Sequence, residues 1–490
     1  MITWGISANS HDAALAVFVD GKLKFASHSE RFSGEKNDPH LCYQLVDYAK
    51  QWGTPAEVIW YEKPLVKSLR QLYAGQGFNF TENDIQSYLA NFGITAPIKT
   101  KWHHHSHAAA GFYTSGFQDA CVVVIDAIGE FETLTIWKAT GSKLKKVYSQ
   151  GYPNSLGLWY SAMTQRCGLK PNEEEYILMG MAAYGDPHKL KDRILADFFR
   201  SGRKIVEFKQ NLHKGCMDWA PDLTDADVFD IAAATQWVYE IYFSNVLREA
   251  STMVRSRNLV LMGGCALNCL ANPIAYKHFD NVWIMPNPGD AGSAIGAVLA
   301  EHPDWAIDRL QFNPYLGYNI DSTSNIDDIV QHLFDHKICG VAQGPAEFGP
   351  RALGNRSLLA DPRGPEIKDK VNAIKQRQQF RPFAPVILEE FASEYFDICG
   401  NSSDHRYMQF ISGCRFPDLF PAIIHRDGTS RVQTVPKDGS RIRQILEKWY
   451  ELTDCPMLLN TSLNIKGQPM VNNKNDAFAF ELRYGVKVFT

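Results

Sequence analysis

Ala13-Ala-Leu-Ala-Val-Phe-Val19, Asp20-Gly21 and Lys22-Leu-Lys-Phe-Ala26 read as a buried strand, a tight turn and an alternating strand. An Asp-Gly pair between two apolar runs is a strong hairpin signal, because both turn positions tolerate positive φ. With Met1-Ile-Thr-Trp-Gly-Ile-Ser7 before it, the segment 2–32 is predicted as strand, turn, strand, turn, strand. A second unit of the same kind spans 121–150. Cys121-Val-Val-Val-Ile125 is its buried strand, Leu134-Thr-Ile-Trp137 the next, and a turn at Thr140-Gly-Ser142 leads into Lys145-Lys-Val-Tyr148. Two copies of one hairpin-rich unit predict a duplicated α/β architecture.

Duplication of this kind builds the actin-, hexokinase- and chaperone-type ATPases, in which nucleotide is held between the halves. A fold alone does not name a reaction. The 490 residues allow two to four domains, and 45% hydrophobic with 12% aromatic content supplies ample core. Fifty basic against fifty-four acidic residues give a formal charge of −4, so no global basic bias points to nucleic acid or anionic membrane. The first residues lack a basic n-region with a long apolar core, and no apolar run reaches the length of a membrane span. Ten scattered cysteines without CxxC pairs fit a reduced, cytoplasmic setting. Leu41–Trp52 and Thr81–Phe92 are amphipathic helical stretches expected to pack only.

Four stretches carry chemistry. Gly5-Ile-Ser-Ala-Asn-Ser-His-Asp12 closes the first strand, where sites gather in α/β sheets, and offers His11 and Asp12 as a base or hydrogen-bonding pair. Trp102-His-His-His-Ser-His-Ala-Ala-Ala-Gly-Phe-Tyr113 places His103 and His107 four apart, on one helical face, able to grip one metal ion. His104 with His107 is an alternative helical pair. Asp126, ending a buried strand, and Asp290, in a loop entering a helix, are the natural remaining ligands, and imidazole suits iron, zinc or manganese alike. Val260-Leu-Met-Gly-Gly-Cys-Ala-Leu-Asn268 reads as strand, Gly-Gly turn and helix start, which would present backbone N–H groups to a phosphate. Cys265 and Cys269, four apart there, are expected as packing residues. Finally, Gln343–Arg363 holds three glycines, three prolines and three arginines in twenty-one positions, a constrained loop presenting Arg351, Arg356 and Arg363. With Lys375, Arg377 and Arg381 following, it is expected to form an anion pocket.

Glu347-Phe-Gly-Pro-Arg-Ala-Leu-Gly-Asn-Arg-Ser357, Asp361-Pro-Arg363 and Arg381-Pro-Phe-Ala-Pro385 closely resemble the O-carbamoyltransferases of nodulation-factor and antibiotic biosynthesis. The resemblance extends over essentially 1–490. It implies an ASKHA-type, threonylcarbamoyl-transferase-like domain over 1–315 and a YrdC-like α/β domain over 316–490, with Asn313–Gly317 as linker. It implies iron(II) on His103, His107, Asp126 and Asp290, and ATP at Gly129, Glu130, Gly263, Gly264 and Asn268. Carbamoyl phosphate is expected at Arg351, Arg356, Ser357, Lys375, Arg381, Asn460, Thr461 and Ser462. His11, Asp12 and Lys36 are expected to serve the acceptor hydroxyl, and Glu30-Arg31-Phe32 with Lys36-Asn37-Asp38 resemble a family block expected to line the same pocket. Family members have glycine where this chain has Ala127, lysine in place of Ile177 and proline in place of Ala183, and Gly180, Tyr184 and Gly185 are read as a closing loop. Alternatives are a tRNA threonylcarbamoyl-transferase-like enzyme and a non-catalytic ATP-binding sensor. The acceptor stays open between a small molecule, mildly favoured, and hydroxymethylated pyrimidines in DNA, and a homodimer is a further expectation.

Overall fold

Two five-stranded sheets of one layout organise the first 312 residues. In the first, β1 (Ile2–Ser7), β2 (Ala14–Val19) and β3 (Lys22–His28) form an antiparallel meander, and β4 (Glu57–Trp60) and β5 (Ile98–Thr100) add parallel to β1, in the order β3-β2-β1-β4-β5. In the second, β6 (Asp119–Gly129), β7 (Glu132–Thr140) and β8 (Lys143–Gly151) form the meander. There β9 (Asn258–Met262) and β10 (Asn281–Trp283) add in parallel, giving β8-β7-β6-β9-β10. The pairing senses match position for position. The first 312 residues thus have the duplicated α/β architecture that the two hairpin units predicted.

The computed structural model describes residues 1–77, 80, 83–202, 204–306 and 312–490, which fall into two compact units. One is Met1–Ser29 with Asn37–Phe312, and the other is Glu30–Lys36 with Asn313–Thr490. In the first unit, helix His103–Ser115 is buried at every position except His105. Helix Ser293–Glu301 lies against it so closely that a Cβ on Gly296 would stand 1.9 Å from the Ser106 carbonyl oxygen. Only glycine permits that approach.

The second unit comprises β11 (Tyr315–Ile320), β12 (Ile338–Ala342), β13 (Gly344–Glu347), β14 (Arg356–Ala360), β15 (Ala384–Leu388), β16 (Phe396–Asp397), β17 (Ser412–Cys414), β18 (Thr429–Ser430), β19 (Gln433–Val435), β20 (Met457–Ser462) and β21 (Val488–Phe489). Six of these form a mixed sheet, β19-β15-β20-β14-β12-β21, over a core that includes Leu358, Val386, Leu458 and Trp449. Helices Ile326–His336 and Arg441–Thr453 belong to the same α/β body.

Several local expectations need correction. Tyr315–Ile320 is a strand paired with Gly344–Glu347, so the expected linker at 313–317 is largely sheet. Past Gly263 (φ +91°) the chain forms two short 3-10 helices, Gly264–Leu267 and Asn272–Lys277, separated by a turn at 269–271, in place of the expected α-helix. Cys265 and Cys269 therefore do not share a helix face. Gly180 lies inside helix Glu175–Met181, and a Cβ on Gly185 would stand 2.0 Å from the Phe229 carbonyl oxygen, so this segment packs on helix Val228–Met253 rather than hanging as a loop. Asp84 caps helix Ile85–Ala90, and Thr81 and Glu82 of the longer predicted helix lie outside the described residues.

Candidate metal centre and anion loop

The first two turns of helix His103–Ser115 supply His103 and His107. The bulged end of β6 supplies Asp126, and the turn before helix Ser293–Glu301 supplies Asp290. All four side chains are buried, and their ligand atoms lie within 4.8 Å of one another. His103 Nε2 stands 3.0 Å from Asp126 Oδ2, 3.3 Å from Asp290 Oδ1 and 3.1 Å from His107 Nε2. His107 Nε2 is 3.4 Å from each of the same two carboxylate oxygens. Bonds of about 2.0–2.2 Å to a shared transition-metal ion would set neighbouring ligand atoms roughly 3.0–3.4 Å apart. The observed separations match that size, so these residues fit the metal the resemblance implies.

The two histidine pairings open in the sequence are resolved by geometry. His104 Nδ1 lies 2.9 Å from Thr135 Oγ1, and His105 stacks on Trp137, so neither joins the cluster. Burial alone would lower the pKa of His103, yet Asp290 and Asp126 outweigh it and raise it well above the usual imidazole range. Asp126 and Asp290 are held below the usual carboxylate range against the same desolvation, Asp126 by both histidines and Asp290 mainly by His103 and His11. The site thus concentrates two carboxylates and two imidazole nitrogens on one point, which a divalent cation satisfies.

Asp126 is oriented from behind. Its Oδ1 accepts from the Gly264 N–H (3.3 Å) and the Ala127 N–H (2.9 Å). The Gly263 N–H goes to the Pro288 carbonyl, 2.9 Å away. The Gly-Gly amides expected to meet a phosphate are therefore engaged within the protein, and their visible role is to aim a ligand carboxylate. Asn268 is similarly committed, exchanging both hydrogen bonds with the Gln236 amide at 3.0 and 3.1 Å. Gly129 makes room for the His103 ring, which a Cβ there would meet at 2.3 Å. Glu130 accepts from the N–H groups of His103 and Lys63, and burial raises its pKa to about 7. Glu130 and Asn268 are thus scaffold contacts of the site in this structure. Ala127 is absent from the positive-φ residues, so its side chain imposes no strain.

His11 stands half-exposed beside the cluster, its Nε2 3.6 Å from Asp290 Oδ2 and its Nδ1 3.2 Å from Asp12 Oδ2. Asp290 therefore turns one oxygen to the imidazole cluster and the other to His11. Lys36 belongs to the second unit, where its Nζ lies 2.7 Å from Glu30 Oε2. Sequence reasoning passed over Tyr61, whose ring centroid lies 5.2 Å from that of His103. Its position just past β4, beside the β1 end that carries His11, was the available signal.

In the second unit the arginine loop folds around Glu347, whose Oε1 accepts from the N–H groups of Leu353 (2.8 Å), Asn355 (2.8 Å) and Arg356 (3.2 Å). An acid placed just before a glycine-rich bend, with amides needing an acceptor, was the overlooked signal. Arg356 is fully buried and donates to five carbonyls, those of Tyr318, Gln343, Gly344, Asn355 and Asn472, at 2.7–3.3 Å. The expectation that Arg356 binds anion is corrected, since its N–H groups are spent on backbone. Ser357 Oγ likewise accepts from the Gly354 N–H, and Asn460 Nδ2 bonds the Ala352 carbonyl and Gln433 Oε1. Lys375 Nζ bonds Ser462 and Asn464, tying a helix end to the end of β20. Burial, then Arg377 and Arg381, push its pKa well down. Arg351, Arg381, Thr461 and Ser462 are half-buried.

Two family models match this chain, one described as Carbamoyltransferase N-terminus over residues 60–299 and one as Carbamoyltransferase C-terminus over 330–490. It is 33% identical to the uncharacterized protein sll1178 of Synechocystis, over 98% of this chain and 94% of that protein. It is 34% identical to nodulation protein NolO of Bradyrhizobium diazoefficiens, over 76% and 75% of the two. The 3'-hydroxymethylcephem-O-carbamoyltransferase of Amycolatopsis lactamdurans is 26% identical, over 95% and 94%.

Proposed function

The chain belongs to the carbamoyltransferase family, and from that premise we propose that it moves a carbamoyl group from carbamoyl phosphate to an acceptor hydroxyl at the expense of ATP. Water first cleaves carbamoyl phosphate to carbamate and inorganic phosphate. Carbamate oxygen then attacks the α-phosphate of ATP, giving carbamoyl adenylate and pyrophosphate. The acceptor oxygen attacks the carbamoyl carbon, AMP leaves, and the hydroxyl proton goes to a base. The observation that carries this reading is the convergence of His103, His107, Asp126 and Asp290 on one point, with His11 on the outer oxygen of Asp290.

A divalent metal there, iron(II) by the resemblance, would supply a Lewis acid for phosphate oxygens. The protein's own part is orientation. Asp126 is fixed by two backbone N–H groups and Asp290 is shared with His11, so the ligand set and the candidate base are held in one frame. His11, steadied by Asp12, is placed to orient the acceptor and take its proton. In the second unit, burial and then the nearby Arg377 and Arg381 depress the Lys375 pKa, and a dianionic phosphate is the complement of such a cluster. The acceptor is a hydroxyl-bearing small molecule, and the setting is the cytoplasm.

The test is AMP and pyrophosphate release from ATP, with and without carbamoyl phosphate and Fe(II), against hydroxylated acceptors that include 5-hydroxymethylcytosine DNA. Release that requires carbamoyl phosphate and rises with one acceptor supports the reading and identifies the acceptor. ATP binding with no AMP formed under any condition leaves a nucleotide sensor and removes it.

A further inference from the structure

Arg31 lies in the short segment Glu30–Lys36 that belongs to the second unit, and its side chain is nearly closed off, at 5% exposure. One nitrogen, Nη2, donates to the Gly349 carbonyl at 3.2 Å, in the middle of the arginine loop. Its Nε and Nη1 are buried without any hydrogen-bond partner. Phe32, edge-on to Tyr318 at 6.2 Å, anchors the segment beside it. Two residues before Gly349 stands Glu347, 3% exposed. Its Oε1 is saturated by three loop N–H groups, yet its Oε2 is buried and has no partner.

A buried guanidinium with idle donors and a buried carboxylate with an idle oxygen are each costly alone. Burial lowers the Arg31 pKa, with Glu30 and then Glu347 supporting its protonated state, yet no hydrogen bond joins Arg31 to Glu347. The unmet needs are opposite. Arg31 lacks acceptors and Glu347 lacks a donor. A group that satisfies both must carry a carbonyl-type oxygen and an N–H on one small planar frame. A phosphate offers acceptors only, and an acetyl group offers no N–H.

We propose that Arg31 and Glu347 recognise the carbamoyl end of the donor, Arg31 through its oxygen and Glu347 Oε2 through its NH2. This rests on the reading of the second unit as the carbamoyl-phosphate unit and adds the selection against acyl phosphates that lack the amino group. Because Oε1 of Glu347 is held by the loop, Glu347→Gln must place its NH2 where Oε2 stands, turning an acceptor into a donor without removing the loop's hub.

The experiment uses two stable probes on the full chain, phosphonoacetamide and acetonylphosphonate, which differ only in NH2 against CH3, with inorganic phosphate as a third ligand. The wild-type protein is expected to prefer phosphonoacetamide by about 10- to 100-fold, the size of one buried charge-assisted hydrogen bond. E347Q is expected to erase that preference while phosphate binds as before. Arg31→Lys is expected to weaken both carbonyl probes equally, again sparing phosphate, and melting curves check that each variant is folded. A wild-type preference retained in folded E347Q, or equal losses for all three ligands, overturns the inference and leaves a structural pair. If the wild-type chain binds none of the three, the carbamoyl-phosphate reading itself falls, and this inference with it.

Discussion

Two buried charged groups of this chain have opposite surroundings. In the first unit, His103, His107, Asp126 and Asp290 point their ligand atoms at one another, all within 4.8 Å. In the second, Arg356 is as deeply buried, but backbone carbonyls surround its guanidinium. A side chain whose polar atoms are all consumed by its own fold holds structure, whereas a set of ligand atoms aimed at one common point suits a cation. Residue type is the same kind of evidence in both places. Orientation separates them.

The sharpest way to break this contrast is Asp126→Asn. It removes one ligand charge and keeps the shape, and AMP formation is expected to fall by at least about 10³-fold, with bound metal lost in elemental analysis. Activity within tenfold of wild type would make the cluster a mere ion-pair network. Arg356→Met should act on stability instead. Leaving several carbonyls unpaired is expected to cost about 3–5 kcal/mol, read as a lower urea midpoint, with no selective change in carbamoyl-phosphate affinity. A folded, stable R356M with lost donor binding would return Arg356 to the pocket.

Chelation is expected to do less. Metal at 100 times its Kd stabilises by about 2.7 kcal/mol, so a chelator should lower Tm by a few degrees, and His107→Ala should abolish that response. The smallest effect is an ion pair between buried Arg443 and solvent-facing Glu390, which serves as the ordinary background. Arg443 holds the Glu390 carboxyl at a pKa of about 2, with Nη1 and Nη2 at 2.8 and 2.7 Å from its oxygens. That folded-state value lies below the usual carboxylate value, so the pair's contribution is complete above roughly pH 4.3 and is lost as pH falls through about 2. Arg443→Met should flatten that part of an acid-stability curve and leave activity at neutral pH alone.

Much of this was legible in the sequence, for physical reasons. The hairpin turn at Asp20-Gly21 and the run Cys121–Ile125 fix strand positions locally, so the duplicated sheets could be read from short windows. The His103/His107 spacing is set by helix geometry, and Asp126 by the end of a strand. What failed were readings that depend on where hydrogen bonds go. The Gly263-Gly264 amides looked available, but Asp126 and the Pro288 carbonyl take them. Arg356 and Asn460 looked like ligand groups because their types suit anions, yet each closes a gap in its own unit. Arg31 was expected only as a lining of the acceptor pocket, and its tie to the arginine loop went unread for the converse reason. It sits more than three hundred residues from Gly349 in sequence, and no local pattern reveals that contact.

The most direct test follows both half-reactions at once, measuring phosphate released from carbamoyl phosphate and AMP released from ATP in wild-type protein and in D126N. The account predicts that D126N loses AMP formation and keeps carbamoyl-phosphate binding and its slow phosphate release, because the two chemistries reside in different units. Loss of donor binding together with AMP formation in a folded D126N would contradict it, and would place both chemistries on the metal centre.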